Sequence, residues 1–477
     1  MNILAALDDP ALFGPHFRGD TWARWRVFLA ALFALEMDDA ALALYRHHTG
    51  RTQLSIAPFS EACLVCGRRG GKSRILALVA VFLATFRDYK PYLAPGEVAT
   101  IAILAADRRQ ARSIFRFCQG LLRSVGMLAE MIDAETNETI TLNNGVVIEI
   151  ATASFRVSRG YSFAAVLADE VAFWRSEETQ NPDDEIIAAI RPGLATIPGS
   201  ILLLASSPYR KRGVLHTTFS RHFGQDGARV LVWRGTTLEM NPSIDPRIIE
   251  EAYEDDPEAA SAEYDAQFRS DLSDFVPRAV VDACTPRGLF EIAPTSGQRY
   301  FAFVDPAGGT GGDSMTVAIA YRDGDKAVLA AIREARPPFS PEAITAEFAG
   351  VLSSYGITKV RGDRYAGEWP REALRRHGIE YELADQNKSD IYVNALPLLN
   401  SGRAQLLDLP RLASQFCVLE RRTSRNGRDS IDHSPGAHDD LANVAAGALL
   451  MASAAPQVYD PARIAEFQRM ARRLMMR

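Results

Sequence analysis

The chain alternates short apolar runs with longer stretches of mixed polarity, and that pattern sets its elements. Within residues 1–50, Trp22, Trp25, Phe28, Leu29, Leu32 and Phe33 fall at helical spacing and form one apolar stripe suited to core packing. Ala62–Val65 reads as a short buried strand and Ile75–Phe86 as a helix. Val98–Ala105 predicts the next strand. Beyond it, Arg109, Arg112, Arg116 and Arg123 lie near one helix face, either a solvated edge or a set of phosphate contacts. Residues 139–150 alternate as strand and turn, with Asn143-Asn144-Gly145 as a hairpin signal. Phe163–Ala168 and Ile201–Ala205 are two further buried strands. Strands alternating with helical stretches imply a parallel sheet covered on both faces, with its site at the carboxyl ends of the strands.

The alternation fades over 225–295, where Ile248–Phe268 is an acidic helical stretch and Pro294-Thr295-Ser296-Gly297 a linker. A new pattern starts near Arg299. It predicts strands at Tyr300–Asp305, Met315–Tyr321 and Ala327–Ile332, a helix at Pro341–Tyr355, a strand at Lys359–Asp363 and an apolar helix at Leu441–Ala452. The expected division is therefore an N-terminal helical or lid segment (1–50), an α/β core (51–225), a lid and linker region (226–295), a second α/β domain (296–455) and a basic tail (456–477).

Composition narrows the classes. A net charge of -6 gives no global basic field, so any contact with nucleic acid must come from local patches. Two such patches are the Arg421, Arg422, Arg425 and Arg428 hairpin, with Asn426-Gly427 at its tip, and the arginine-rich tail. The five cysteines are scattered, which suits a reducing compartment and no disulfide framework. Cys63 and Cys66 form a C-x-x-C inside a strand and loop, where neither redox nor metal chemistry is expected. The apolar runs are too short for a bilayer span, and no secretory leader is expected at the N-terminus.

The chemistry is carried by two groups of motifs. The first is Cys66-Gly67-Arg68-Arg69-Gly70-Gly71-Lys72-Ser73, between a strand and a helix. Such a turn cradles phosphates on backbone N–H groups, with Lys72 for the β/γ oxygens and Ser73 for Mg²⁺. Its first residue departs from the usual glycine. About one hundred residues on, a buried strand ends in Asp169-Glu170, the acid pair of an ATPase: Asp169 for Mg²⁺, mostly through water, and Glu170 for the attacking water. Ser206, ending the next strand, sits where a γ-phosphate sensor belongs; a simple strand-end cap also fits. Gln53 can read an adenine edge or stand in an exposed turn.

The second group is Asp305 and Asp363, each ending a strand, and Asp439-Asp440, opening the last helix. Hard divalent cations prefer such carboxylates, and two ions can clamp the attacking and leaving oxygens of a phosphodiester. Asp439 can instead merely cap the helix. The order of strands and helix around these acids indicates a ribonuclease-H-like fold.

Taken together, the chain resembles the large terminase subunit of tailed bacteriophages and gene transfer agents, from about Trp22 to Met451. The resemblance rests on Cys66–Ser73, Val166–Glu170, Ala205–Ser207, Asp305, Asp363 and His438-Asp439-Asp440-Leu441; an altered first loop residue and an in-loop arginine are common in that family. It implies a P-loop ATPase of the type with an extra central strand, a small lid, and a ribonuclease-H-like nuclease. It implies ATP with Mg²⁺ at the first site and two Mg²⁺ or Mn²⁺ ions at the second. It also implies double-stranded DNA, a portal protein and a small terminase subunit as partners, a homo-oligomeric ring, commonly a pentamer, and work in the host cytoplasm docked on a procapsid. An arginine should complete the ATP site: Arg68 from within the loop, or Arg159 from a neighbouring subunit. The competing readings are a helicase or recombination ATPase fused to a resolvase-like nuclease, and a docking protein with dead sites.

Overall fold

In the computed structural model of the protein, residues 1–152, 160–174, 182–363, 369–423, 429–434 and 437–455 are described. The chain divides into two compact units, Met1–Leu272 and Ser273–Arg477.

The first unit is built on an eight-stranded sheet: β1 (Glu61–Cys66), β2 (Ala99–Ala105), β3 (Ile132–Glu135), β4 (Thr139–Leu142), β5 (Val146–Thr152), β6 (Ser162–Asp169), β7 (Ile201–Ser206) and β8 (Val230–Gly235). Its order is β3-β4-β5-β2-β6-β7-β1-β8. From β5 to β8 all neighbours are parallel, and β3 and β4 close one edge antiparallel. The central strands are apolar throughout because both faces are covered. On β1, Ala62, Leu64 and Cys66 pack into one core with the helix Lys72–Phe86. Cys63 and Val65 point to the opposite core, with Ile186, Ile187 and Ile190 of the helix Pro182–Leu194. Strand β7 lies between the phosphate-loop strand β1 and the acid-ended β6, the arrangement of the P-loop ATPases with an extra central strand.

Two sequence expectations change here, and a third gains detail. Residues 1–50 are not a segment apart: Trp25, Phe28, Leu29 and Leu32 are buried in the same core as the helix after the phosphate loop. Residues 226–295 are not one lid and linker region, because β8 completes the first sheet beside β1 and the units divide at Leu272/Ser273. The acidic stretch is two helices, Pro246–Asp255 and Pro257–Asp265, since Pro257 cannot continue the first and instead opens the second, behind Asp256 as N-cap. The hairpin signal at Asn143–Gly145 does join an antiparallel pair, with Gly145 at φ +89°.

A short strand, β9 (Leu272–Asp274), falls at the division. The second unit has a six-stranded sheet: β10 (Tyr300–Asp305), β11 (Met315–Asp323), β12 (Lys326–Ala335), β13 (Lys359–Gly362), β14 (Glu380–Leu383) and β15 (Ala404–Gln405), in the order β14-β13-β10-β11-β12-β15. β10, β11 and β12 are antiparallel, whereas β13 runs parallel to β10 and to β14. The three-stranded meander, crossover helix and parallel fourth strand make the unit ribonuclease-H-like. The helix Asp440–Ala454 covers one face, and Pro341–Ser354 the other. Gly447 allows the first of these to sit low on the sheet: a Cβ there would lie 2.5 Å from the Phe303 ring. Strands β16 (Leu419–Thr423) and β17 (Asp429–His433) pair antiparallel; the expected Asn426-Gly427 tip, with Arg425 and Arg428, lies outside the described residues. So do Arg159 and the tail 456–477. No helix among the described residues is long and apolar enough to cross a membrane.

Candidate nucleotide and metal sites

Parallel register carries the first group of motifs to one sheet edge. Asp169 of β6 pairs with Ala205 of β7, and Ser206 pairs with Val65 of β1, one residue before Cys66. The loop then turns at Gly71, whose φ of +97° is costly for any side chain-bearing residue. The turn is held from outside by side chains: Trp25 Nε1 donates to Gly70 O (2.9 Å), Thr237 Oγ1 to Arg68 O (2.7 Å) and Asn241 Nδ2 to Arg69 O (2.9 Å).

Lys72 is buried and its ammonium is fully engaged. It donates to Cys66 O (2.9 Å), Gly67 O (3.3 Å) and Ser207 Oγ (3.1 Å), and lies 3.6 Å from Glu170 Oε1. Glu170 Oε2 accepts from Ser206 Oγ (3.0 Å) and from the Ser207 N–H (3.2 Å). Glu170 itself sits in the left-handed region at φ +49°, uncommon for a non-glycine residue. Beside it, burial first and the Glu170 charge second push the Asp169 carboxyl up, partly offset by Lys72 and by a hydrogen bond from Ser73. Asp169 Oδ1 is buried without a partner. An orphaned anionic oxygen next to a serine hydroxyl fits a hard cation such as Mg²⁺.

The remaining nucleotide-site residues are placed as follows. Arg68 is largely exposed and pairs with Glu263 (2.9 Å). Arg69 carries a positive φ of 63° and stays on the surface. Gln53 is exposed on a turn, its N–H donating to Asp226 Oδ1 (3.0 Å). Cys66 is fully buried, which pushes its thiol up to about 12. Of the arginine row, Arg123 pairs with Glu135 (2.7 Å), and Arg109, Arg112 and Arg116 are exposed.

The second group also converges through register. Val304 of β10 pairs with Gly362 of β13, so Asp305 and Asp363 emerge side by side from adjacent parallel strands. Thr316 of β11, opposite Asp305, donates its hydroxyl to Asp440 O (3.0 Å) and fixes the start of the last helix. Asp440 Oδ2 accepts from the Ser314 N–H (3.1 Å). Asp305 Oδ2 accepts from Asn443 Nδ2 (2.8 Å). Burial, and then the charges of Asp440, Asp363 and Asp439, push Asp305 up to about 7 despite that hydrogen bond. Burial raises Asp440 as well. Carboxylates crowded in this way repel one another, and a cation held among them would relieve that repulsion.

Asp439 differs. Its carboxylate accepts from Tyr392 OH (2.8 Å) and lies 3.0 Å from Lys388 Nζ, which also reaches Asp432 (3.0 Å). It caps nothing by side chain. Asn443, Lys388 and Tyr392 were not marked by the sequence pattern. Asn443 alone had a signal, since it stands three residues after Asp440 on one helix face.

One chain thus joins a phosphate loop with its acid pair on a P-loop sheet to a carboxylate cluster on a ribonuclease-H-like sheet. No family model and no curated protein matches it. Among solved structures it is similar to the large terminase of bacteriophage HK97, at 15% identity and TM-score 0.43, over 94% of this chain and 99% of that one. It is also similar to the large terminase of a thermophilic bacteriophage in complex with ADP, at 12% identity and TM-score 0.36, over 81% and 92%. A third is the large terminase nuclease of the thermophilic phage G20c with bound magnesium, at 14% identity and TM-score 0.29, over 36% of this chain and 95% of that one.

Proposed function

We propose that the protein is a DNA-packaging motor of the large-terminase kind, in which ATP hydrolysis in the first unit moves double-stranded DNA and metal-dependent cleavage in the second cuts it. The observation that carries this reading is the pairing, in one polypeptide, of Lys72, Asp169 and Glu170 at one strand edge with Asp305, Asp363 and Asp440 at another. Either constellation alone occurs in many enzymes; together they fit a machine that both hauls and severs a duplex.

In this reading the backbone N–H groups from Gly67 to Ser73 hold the phosphates, and Lys72 leaves its carbonyl partners to neutralise the β/γ oxygens. Glu170 orients the attacking water once Lys72 no longer pairs with it, and the Ser206 hydroxyl and Ser207 N–H keep its carboxylate aimed. Ser73 and Asp169 would hold Mg²⁺, which neutralises phosphate charge when bound. Arg68 reaches the phosphates only by releasing Glu263; Arg159 from a neighbouring subunit is the other source of that charge. In the second unit, Asp305, Asp363 and Asp440 would hold two Mg²⁺ or Mn²⁺ ions that polarise the scissile phosphodiester. Asn443 orients Asp305, and Lys388 with Tyr392 keeps Asp439 turned away, leaving Asp440 as the third ligand. Partners in this reading are a portal, a small terminase subunit and further copies of the chain in a ring.

The test is ATP hydrolysis by the full chain with and without linear double-stranded DNA, alongside Mn²⁺-dependent cleavage of plasmid by the same preparation. Hydrolysis stimulated by DNA, together with nicking or linearisation, is expected. Hydrolysis indifferent to DNA, or intact plasmid at every Mn²⁺ concentration, would overturn the proposal.

A further inference from the structure

A second cluster of metal-ligating side chains lies in the first unit and takes no part in the chemistry above. His47 and His48 end the helix Asp39–Thr49, and Glu239 belongs to the short turn of helix Thr237–Met240. One ring nitrogen of each histidine and one Glu239 oxygen all lie within 4.8 Å of one another.

His48 is the unusual member. It is fully buried, stacked on Trp233 with ring centroids 4.6 Å apart. Its Nδ1 is 2.7 Å from the Arg234 carbonyl, which can only accept, so Nδ1 carries the proton. With the proton on Nδ1, the neutral ring has its lone pair on Nε2, and Nε2 is buried without a hydrogen-bond partner. A buried imidazole nitrogen left empty costs free energy unless something accepts its lone pair. An Nδ1–H held by a backbone carbonyl, with Nε2 open, is the arrangement that presents a histidine to a metal. His47 Nε2 lies 2.7 Å from Glu239 Oε1, so a nitrogen and an anionic oxygen are already side by side. Glu239 Oε2 is meanwhile fixed by the Thr236 N–H (2.8 Å). His47 is largely exposed, leaving a side open for water as a fourth ligand.

We propose that His47, His48 and Glu239 form a binding site for a divalent transition metal of the zinc class. Two imidazoles and one carboxylate with an open position suit such an ion, and do not suit Mg²⁺ or Ca²⁺, which take oxygen ligands. The ion would tie the helix Asp39–Thr49 to the segment that grips the phosphate loop, since Thr237 and Asn241, on either side of Glu239, hold the Arg68 and Arg69 carbonyls. Its role is to stiffen that loop from behind. It is separate from the hydrolytic and nuclease ions and does not depend on the packaging reading.

The probe is Co²⁺ added to the chelator-treated full chain without nucleotide, read by visible absorption. A four-coordinate nitrogen-containing site absorbs far more strongly than an all-oxygen six-coordinate one, so the carboxylate cluster does not mimic it. One equivalent should give the strong band, and Zn²⁺ should displace it and raise the melting midpoint. His47→Ala removes an exposed ligand without opening the core and should weaken Zn²⁺ binding by at least about 100-fold, more than changes outside a metal's ligand set usually do. The band should persist in Asp305→Asn and in His433→Ala, which alters the other three-ligand group, Asp432, His433 and Asp439. Absence of the band in the parent protein, or its survival in both His47→Ala and Glu239→Gln, would overturn the proposal.

Discussion

Lys72 and Glu170 face each other across 3.6 Å. The Ser207 hydroxyl accepts from Lys72, and the Ser206 hydroxyl and Ser207 N–H donate to Glu170, so the two serines hold both side chains in place. Glu170→Gln keeps those hydrogen bonds but removes the charge that a general base needs. It should lower kcat for ATP by about 100-fold or more while leaving nucleotide affinity close to that of the parent, measured by steady-state hydrolysis and by titration with an unhydrolysed analogue. At the second site, Asp305 has a carboxyl raised to about 7 by burial and by its acidic neighbours. The folded protein therefore holds this proton more tightly than the unfolded chain does. The stability that follows is fully present below the ordinary carboxylate range and is lost as pH rises through about 7. Metal-free Asp305→Asn should accordingly be more stable than the parent at about pH 8, with the gap closing towards about pH 5. Denaturant melts at both values check this, and Mn²⁺ should stabilise the parent more at the higher pH.

At the scale of elements, the sites depend on close approaches of backbone. Gly447 lets the helix Asp440–Ala454 rest against Phe303, so Gly447→Ala should lift that helix, cost about 1–3 kcal/mol and reduce plasmid cleavage more than ATP hydrolysis. Gly71→Ala strains a φ of +97° and places a Cβ 3.1 Å from Trp25 Nε1; nucleotide binding should fall, as a fluorescent nucleotide titration would show. Much of this was legible in the chain. Continuous apolar runs ending in Ser or acid marked β6, β7 and β10, because a strand buried on both faces has no polar alternation and its chemistry must sit at its end. What could not be read were partners distant in sequence. Glu263 pairs with Arg68 across nearly the whole first unit, Trp25 bonds to Gly70, and Lys388 neutralises Asp439. No local spacing encodes such contacts. The lid boundary failed for a related reason: β8 has only six residues and its neighbour in the sheet is β1, far earlier in the chain.

At the scale of the molecule, a net charge of -6 means that the DNA binding proposed above would have to come from local arginines and should weaken as salt rises. If hydrolysis and cleavage belong to separate units, as proposed, each should fail without the other. The most direct measurement takes Lys72→Ala and Asp305→Asn, each shown to be folded by its melting transition, and assays both for ATP hydrolysis and for Mn²⁺-dependent plasmid cleavage. Lys72→Ala should abolish hydrolysis and still cut plasmid, whereas Asp305→Asn should hydrolyse ATP and leave plasmid intact. Loss of both activities from either folded variant would contradict the division into two sites.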